Sequence, residues 1–177
     1  EINKMIIYIH GFASSGFGSK AEKFKEYFED EIITISLPTI PNLAINTLEQ
    51  LIEAFVSIDE EVQLIGSSGA FDSFVELIAA EHNKPGLTEK KTEYNINLDD
   101  FYLIADKVIS STWQQRMAMK GLIPIRVDMI VISFLFVKYI IEKYKIAVFK
   151  TSIYSLKEGV IEEMLQEIKK SRGQQNQ

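Results

Sequence analysis

The chain contains no cysteine, only two histidines, four prolines and a single tryptophan among 177 residues. Without cysteine there is no disulfide framework, no thiolate nucleophile and no Cys-based zinc site, and a cytoplasmic origin is the ordinary reading. His10 and His82 leave little scope for imidazole chemistry. No H-E-x-x-H or calcium-loop spacing occurs. The paired carboxylates Asp99-Asp100 and Glu60-Glu61 read as a helix cap and solvated surface, so neither a metal nor another cofactor is expected. Positive charge is also scarce: 19 Lys and Arg face 25 Asp and Glu, a net charge of −6. No basic field is present to release counterions, so neither nucleic acid nor a membrane surface is an expected partner. Long apolar runs are missing too. The densest, Met129–Val137, is ended by Lys138 well short of the roughly 20 residues that cross a bilayer. It reads as a helix buried on most sides. No signal peptide is expected at Glu1.

What the chain does have is apolar and aromatic mass. Hydrophobic residues make up 46%, with 11 Phe and 7 Tyr, enough for one domain with a real core. Short Ile-rich runs alternate with helical patterns. Met5–His10, Ile32–Leu37 and Glu61–Gly66 read as strands, and Lys20–Asp30, Leu43–Ser57 and Ala70–Glu81 as helices. The second helix places Leu48, Leu51, Ile52 and Phe55 on one face. Such β-α alternation implies a parallel sheet with helices on both faces. Asn83–Leu98, with Pro85-Gly86, reads as a loop. Asp99 caps a helix to Ser110, and Thr112–Lys120 is a further short helix broken by Gly121–Pro124. Arg126–Lys145 is the long buried helix, Ile146–Thr151 a fourth strand and Leu156–Ser171 a closing helix.

The expected architecture is therefore a three-layer α/β/α domain over residues 1–172. It has a mostly parallel four-stranded sheet in the order 2-1-3-4, a helical insertion before the last strand, and a frayed tail at 173–177. In that order the sheet reverses direction between strands 1 and 3, where ligands of such folds sit at the carboxyl ends of the strands. The loops His10–Lys20 and Gly66–Ala70 emerge there.

Two stretches resemble different families. His10-Gly11-Phe12 after the first strand, followed by a Gly/Ser-rich loop, resembles the N-terminal part of small α/β-hydrolase esterases over residues 4–68. That resemblance implies an oxyanion donor at Phe12 N–H, within the His10 loop, and a nucleophile at Ser68. The elbow Gly66-Ser67-Ser68-Gly69-Ala70 departs from G-x-S-x-G at Ala70. No His follows the last strand, and His82 lies at the far end of the helix that begins beside Ser68. Serine hydrolysis is not expected.

From Leu64 to about Leu165 the chain resembles the C-terminal part of exopolyphosphatase/guanosine-pentaphosphate phosphatases, in the actin-like ATPase superfamily. The matching residues are Ile65 to Phe74 (IGSSGAFDSF), Arg116, Gly121 to Ile130 (GLIPIRVDMI) and Ser152 to Gly159 (SIYSLKEG). This resemblance implies a small anionic ligand such as phosphate, polyphosphate or a nucleotide. Gly66, Ser67, Ser68 and Gly69 would offer backbone N–H groups at a helix N-terminus. Arg126 would form a bidentate bond with phosphate and Lys157 would add charge. The rival reading pairs Arg126 with Asp128 or a nearby Glu, and leaves Lys157 on an exposed helix start. The family's first phosphate motif, an Asp followed by a Gly-rich Ser/Thr-Glu turn, is absent, so binding without hydrolysis is expected. Because the two resemblances meet at residues 64–69, a chimera of two α/β fragments is the expected origin. The expected function is an exopolyphosphatase-related phosphate- or polyphosphate-binding domain; the alternatives are a serine esterase with a degenerate site and a chimeric or engineered scaffold with no native activity.

Overall fold

The computed structural model describes residues 6–9, 17, 21–22, 25–26, 32–55, 62–67, 69–84, 92–152, 161 and 164–165. The chain divides into two compact units, Glu1–Glu60 and Glu61–Gln177.

In the first unit β1 (Ile6–Ile9) and β2 (Ile32–Ile35) pair in parallel, with Ile6 opposite Ile32 and Ile9 opposite Ile35. The β-branched run makes both segments stiff at χ1 and suited to a pleated surface. Pro41 opens α1 (Pro41–Phe55), where its missing N–H costs nothing. Leu48 and Ile52, one turn apart, form its buried stripe. Phe55 was expected on that stripe but is 46% exposed.

In the second unit β3 (Gln63–Ser67) leads through a turn into α2 (Ala70–Glu81). Then come β4 (Glu93–Asn95), α3 (Leu98–Ile109), α4 (Trp113–Met117), a 3-10 turn at Pro124–Arg126, α5 (Ile130–Lys143) and β5 (Val148–Ser152). The sheet order is β3-β5-β4, with β3 parallel and β4 antiparallel to β5. The fold is thus mixed α/β, as expected. Two adjacencies of the expected order 2-1-3-4 are present: β1 with β2, and β3 with β5, which is the expected fourth strand.

β4 is a correction, because it lies in the stretch expected to be a loop. Three residues are too few to show alternation in a sequence. The strand is made by its partner: Ile96 N–H donates to the Phe149 carbonyl at 2.8 Å, and Lys150 meets Glu93 at 3.1 Å. The cap of α3 is also corrected. Asn97 rather than Asp99 accepts first-turn N–H groups, from Asp99 at 2.8 Å and Asp100 at 3.1 Å. The long helix expected from Arg126 begins only at Ile130, because Pro124 sets a separate 3-10 turn first.

Phe74, Phe101, Phe134 and Phe149 join α2, α3, α5 and β5 in one core. Their rings lie 4.3–5.5 Å apart where they touch, mostly edge-on or tilted, and Phe71 adds a further ring against Phe74 and Phe149. α5 was expected to be buried on most sides. It buries one face, Ile130, Phe134, Val137, Ile140 and Ile141, and leaves Ile132 and Leu135 about half exposed. Among the described residues no helix is long and apolar enough to cross a membrane. The expected helices Lys20–Asp30 and Leu156–Ser171 lie largely outside the described residues; Ala21, Glu22, Lys25, Glu26, Ile161, Met164 and Leu165 are helical. The expected frayed tail lies outside them entirely.

Candidate anion-binding site

The carboxyl end of β3 and the start of α2 carry the candidate site. Gly66 is buried, and a Cβ there would overlap the Phe71 ring. Its missing side chain therefore makes room for an aromatic ring packed against the core. Ser67 is exposed at the strand end. Gly69 is the N-cap of α2 with φ 59° and ψ −120°, a conformation open to glycine and rarely to other residues. No side chain caps this helix. That contrasts with Asn97 on α3 and with the reciprocal Thr112–Gln115 capping box on α4. The positive end of the α2 dipole meets one carboxylate of the first turn, Asp72.

Arg126 reaches that end. Its Nη1 donates to Ser73 Oγ at 2.8 Å, and its Nη2 lies 3.9 Å from Asp72 Oδ2. Both partners are in the first turn and a half of α2. The guanidinium is partly exposed, and a guanidinium carries five N–H donors, more than this one bond uses. The segment is tethered at the two residues that follow Arg126. Arg116 Nε donates to the Val127 carbonyl at 3.1 Å and its Nη1 to the Ser111 carbonyl at 2.6 Å. Trp113 Nε1 donates to Asp128 Oδ1 at 2.9 Å. Arg116 is thus a structural clamp, and it and Trp113 fix the turn from which Arg126 projects.

The structure brings Arg126 to the helix that follows Gly66, Ser67 and Gly69. Ser68, His10 and Lys157 lie outside the described residues. The rival pairing of Arg126 with Asp128 does not occur; Asp128 holds Trp113 instead. Asp72 and Ser73 were missed as partners of Arg126, although the helix start Gly69-Ala70-Phe71-Asp72-Ser73 does place a carboxylate and a hydroxyl one turn inside a glycine turn. His82 sits at the opposite end of α2, 2.9 Å from Asp100 Oδ1. Among the described residues no group of three or more His, Cys, Asp and Glu is placed to hold a metal ion.

Residues 18–168 match the model of the Ppx/GppA phosphatase family. The chain belongs to the Ppx/GppA phosphatase family. An exopolyphosphatase from Cytophaga hutchinsonii is similar in structure, with a TM-score of 0.60 and 27% identity over 87% of this chain. The Aquifex aeolicus Ppx/GppA family member shares the fold at a TM-score of 0.50 and 17% identity over 82% of this chain. The chain spans 44% and 46% of the lengths of these two proteins. No curated protein gives a significant match. The Ppx/GppA match runs unbroken across residues 64–69, where a join was expected. Neither the esterase resemblance nor a chimeric origin finds support in these comparisons.

Proposed function

We propose that this chain is a phosphate- or polyphosphate-binding part of an exopolyphosphatase-related protein, and that it binds without cleaving phosphoanhydrides by itself. One observation carries the reading: Arg126 is held by Ser73 against the uncapped, glycine-led start of α2. A guanidinium fork beside a helix N-terminus suits a tetrahedral anion, because both supply N–H donors and positive charge. Ser67 and Ser68 would add hydroxyls, Gly66–Gly69 backbone N–H groups, and Lys157 a further charge. Nucleotides offer the same phosphate chemistry and belong to the same ligand class.

The absence of hydrolysis rests on the sequence. The Asp and Gly-rich Ser/Thr-Glu turn that the resemblance requires for orienting the attacking water does not occur in this chain. Calorimetry with orthophosphate, tripolyphosphate and a nucleoside triphosphate tests binding. A Kd on the order of 1 mM, roughly −4 kcal/mol, is expected, since net charge −6 opposes an anion. No binding by any of the three would overturn the reading. A phosphate-release assay on polyphosphate with magnesium should stay at background; turnover by the purified chain would refute the second half of the proposal.

A further inference from the structure

The face of α5 that points away from the core is apolar. Ile132, Leu135, Phe136 and Tyr139 recur at helical spacing on the side away from Phe134 and Ile141. Ile132 is 54% and Leu135 49% exposed, and Phe136 and Tyr139 are half-buried. An exposed charge stands beyond each end of this stripe. Asp128, two residues before α5, accepts from Trp113 Nε1 through one carboxylate oxygen. A carboxylate accepts more than one bond, so that contact leaves its charge in place. Lys143 is the last residue of α5, with Nζ 5.8 Å from the centre of the Tyr139 ring.

The spacing of these residues is the same read from either end. From Asp128 the steps are four to Ile132, three to Leu135, one to Phe136, three to Tyr139 and four to Lys143. A two-fold contact requires a surface complementary to itself, and this one is. In an antiparallel pair of α5 helices centred between Leu135 and Phe136, Ile132 meets Tyr139, Leu135 meets Phe136 and Asp128 meets Lys143, each twice. The helix dipoles also align favourably. A parallel pair would set Asp128 against Asp128 and Lys143 against Lys143.

We propose that this face is a homodimer contact, with a second copy of the chain as its occupant and the two α5 helices antiparallel. The contact is small. The stripe from Ile132 to Tyr139 is about 10 Å long at 1.5 Å per residue, and a stable interface buries about 800 Å² per partner. The dimer is therefore weak and reversible, with a Kd on the order of 10–100 µM. It uses no phosphate donor of the glycine turn or of Arg126, so it stands or falls independently of the proposed function.

Sedimentation equilibrium of the whole chain from about 5 to about 500 µM, which spans that Kd, is the test. The weight-average mass should rise from one chain toward two. Leu135→Glu, at an exposed position, should keep the circular-dichroism spectrum and weaken association at least about tenfold. Asp128→Lys and Lys143→Glu should each weaken it by about three- to tenfold, because both homodimers then carry like-charge contacts. An equimolar mixture of these two variants should recover the parent's association, since both contacts then join opposite charges. Orientation has a second readout that leaves Asp128 and its Trp113 bond intact. The chain lacks cysteine, so Leu135→Cys should cross-link to itself on oxidation. Met129→Cys should not, because antiparallel helices hold that position about 20 Å from its copy. A single-chain mass at every concentration would overturn the proposal and leave the face to another segment or another partner. So would a dimer indifferent to Leu135→Glu, a mixture of folded charge variants that does not recover, or Met129→Cys cross-linking as readily as Leu135→Cys.

Discussion

Asp72 sits where a phosphate would compete with it, and its removal should strengthen phosphate binding. The carboxylate lies 3.9 Å from Arg126 Nη2. At that separation a unit charge pair is worth about 1 kcal/mol in a water-like medium and about 4 kcal/mol at an effective dielectric near 20. The two side chains are 29% and 39% exposed, which favours the lower figure. Asp72→Asn frees that interaction for the ligand and also removes a repelling charge from the start of α2. Phosphate affinity should rise about fivefold, since 1.4 kcal/mol is a factor of ten. The same change weakens the favourable pairing of Asp72 with the helix dipole, so thermal stability should fall by about 0.3–1 kcal/mol. Arg126→Ala should weaken phosphate binding about tenfold, and Arg126→Lys should recover part of that loss, because an ammonium cannot make the fork. The decisive measurement is a double-mutant cycle by calorimetry. In the Arg126→Ala background Asp72→Asn should gain clearly less than it does alone. An unchanged or lowered affinity in Asp72→Asn, with the fold intact by circular dichroism, would refute the competition.

Other changes test the scaffold beneath the site. Gly121→Ala meets both a positive φ and the Glu76 carbonyl; denaturant unfolding should show a loss of about 1–3 kcal/mol, and a neutral result would mean that this turn does not press on α2. Arg116→Ala removes two charge-assisted bonds to the Val127 and Ser111 carbonyls. It should cost about 1.5–3 kcal/mol in the same unfolding experiment while phosphate contacts at Arg126 are lost only through misplacement of its turn. The expected single domain over residues 1–172 is a proposal about cooperativity. Trp113, the one tryptophan, reports the second unit, and far-UV circular dichroism reports the whole chain. Coincident melting midpoints are expected, and separated ones would show that the two units unfold independently.

The parts of the fold legible in the sequence were those encoded over short distances. α2 has the bounds the sequence implies because a Gly/Ser turn follows the preceding strand and apolar residues then recur at helical spacing to Glu81. The parallel pairings of β1 with β2 and β3 with β5 follow from Ile- and Val-rich runs separated by helices. β4 was hidden because a three-residue strand exists only through its non-local partner, β5. The division of the 124–143 stretch was in principle visible, since Pro124 is a strong start signal and a second start was needed at Ile130. The exposed face of α5 was not visible: a sequence apolar all round says nothing about which side finds a neighbour.

The candidate site divides along the same line. The glycine turn and Arg126 could be singled out by residue type, since positive φ demands glycine and planar anion recognition favours arginine. Their roles needed coordinates. The missing side chain of Gly66 gives space to Phe71, whose ring packs on the core rings of Phe74 and Phe149. The rival to an anion role for Arg126 was a pair with Asp128 or a nearby Glu, but Asp128 is held by Trp113. The fork therefore crosses to α2, 53 positions earlier in the chain, where it bonds Ser73. Sequence proximity suggested the wrong ion pair because Trp113 and Arg116 determine which way the turn faces. The candidate anion site thus rests on the core through Phe71 and on the Trp113 and Arg116 tethers through the turn that carries Arg126. A lesion that loosens the Trp113 and Arg116 tethers should reach phosphate affinity through Arg126 without touching any residue of the glycine turn.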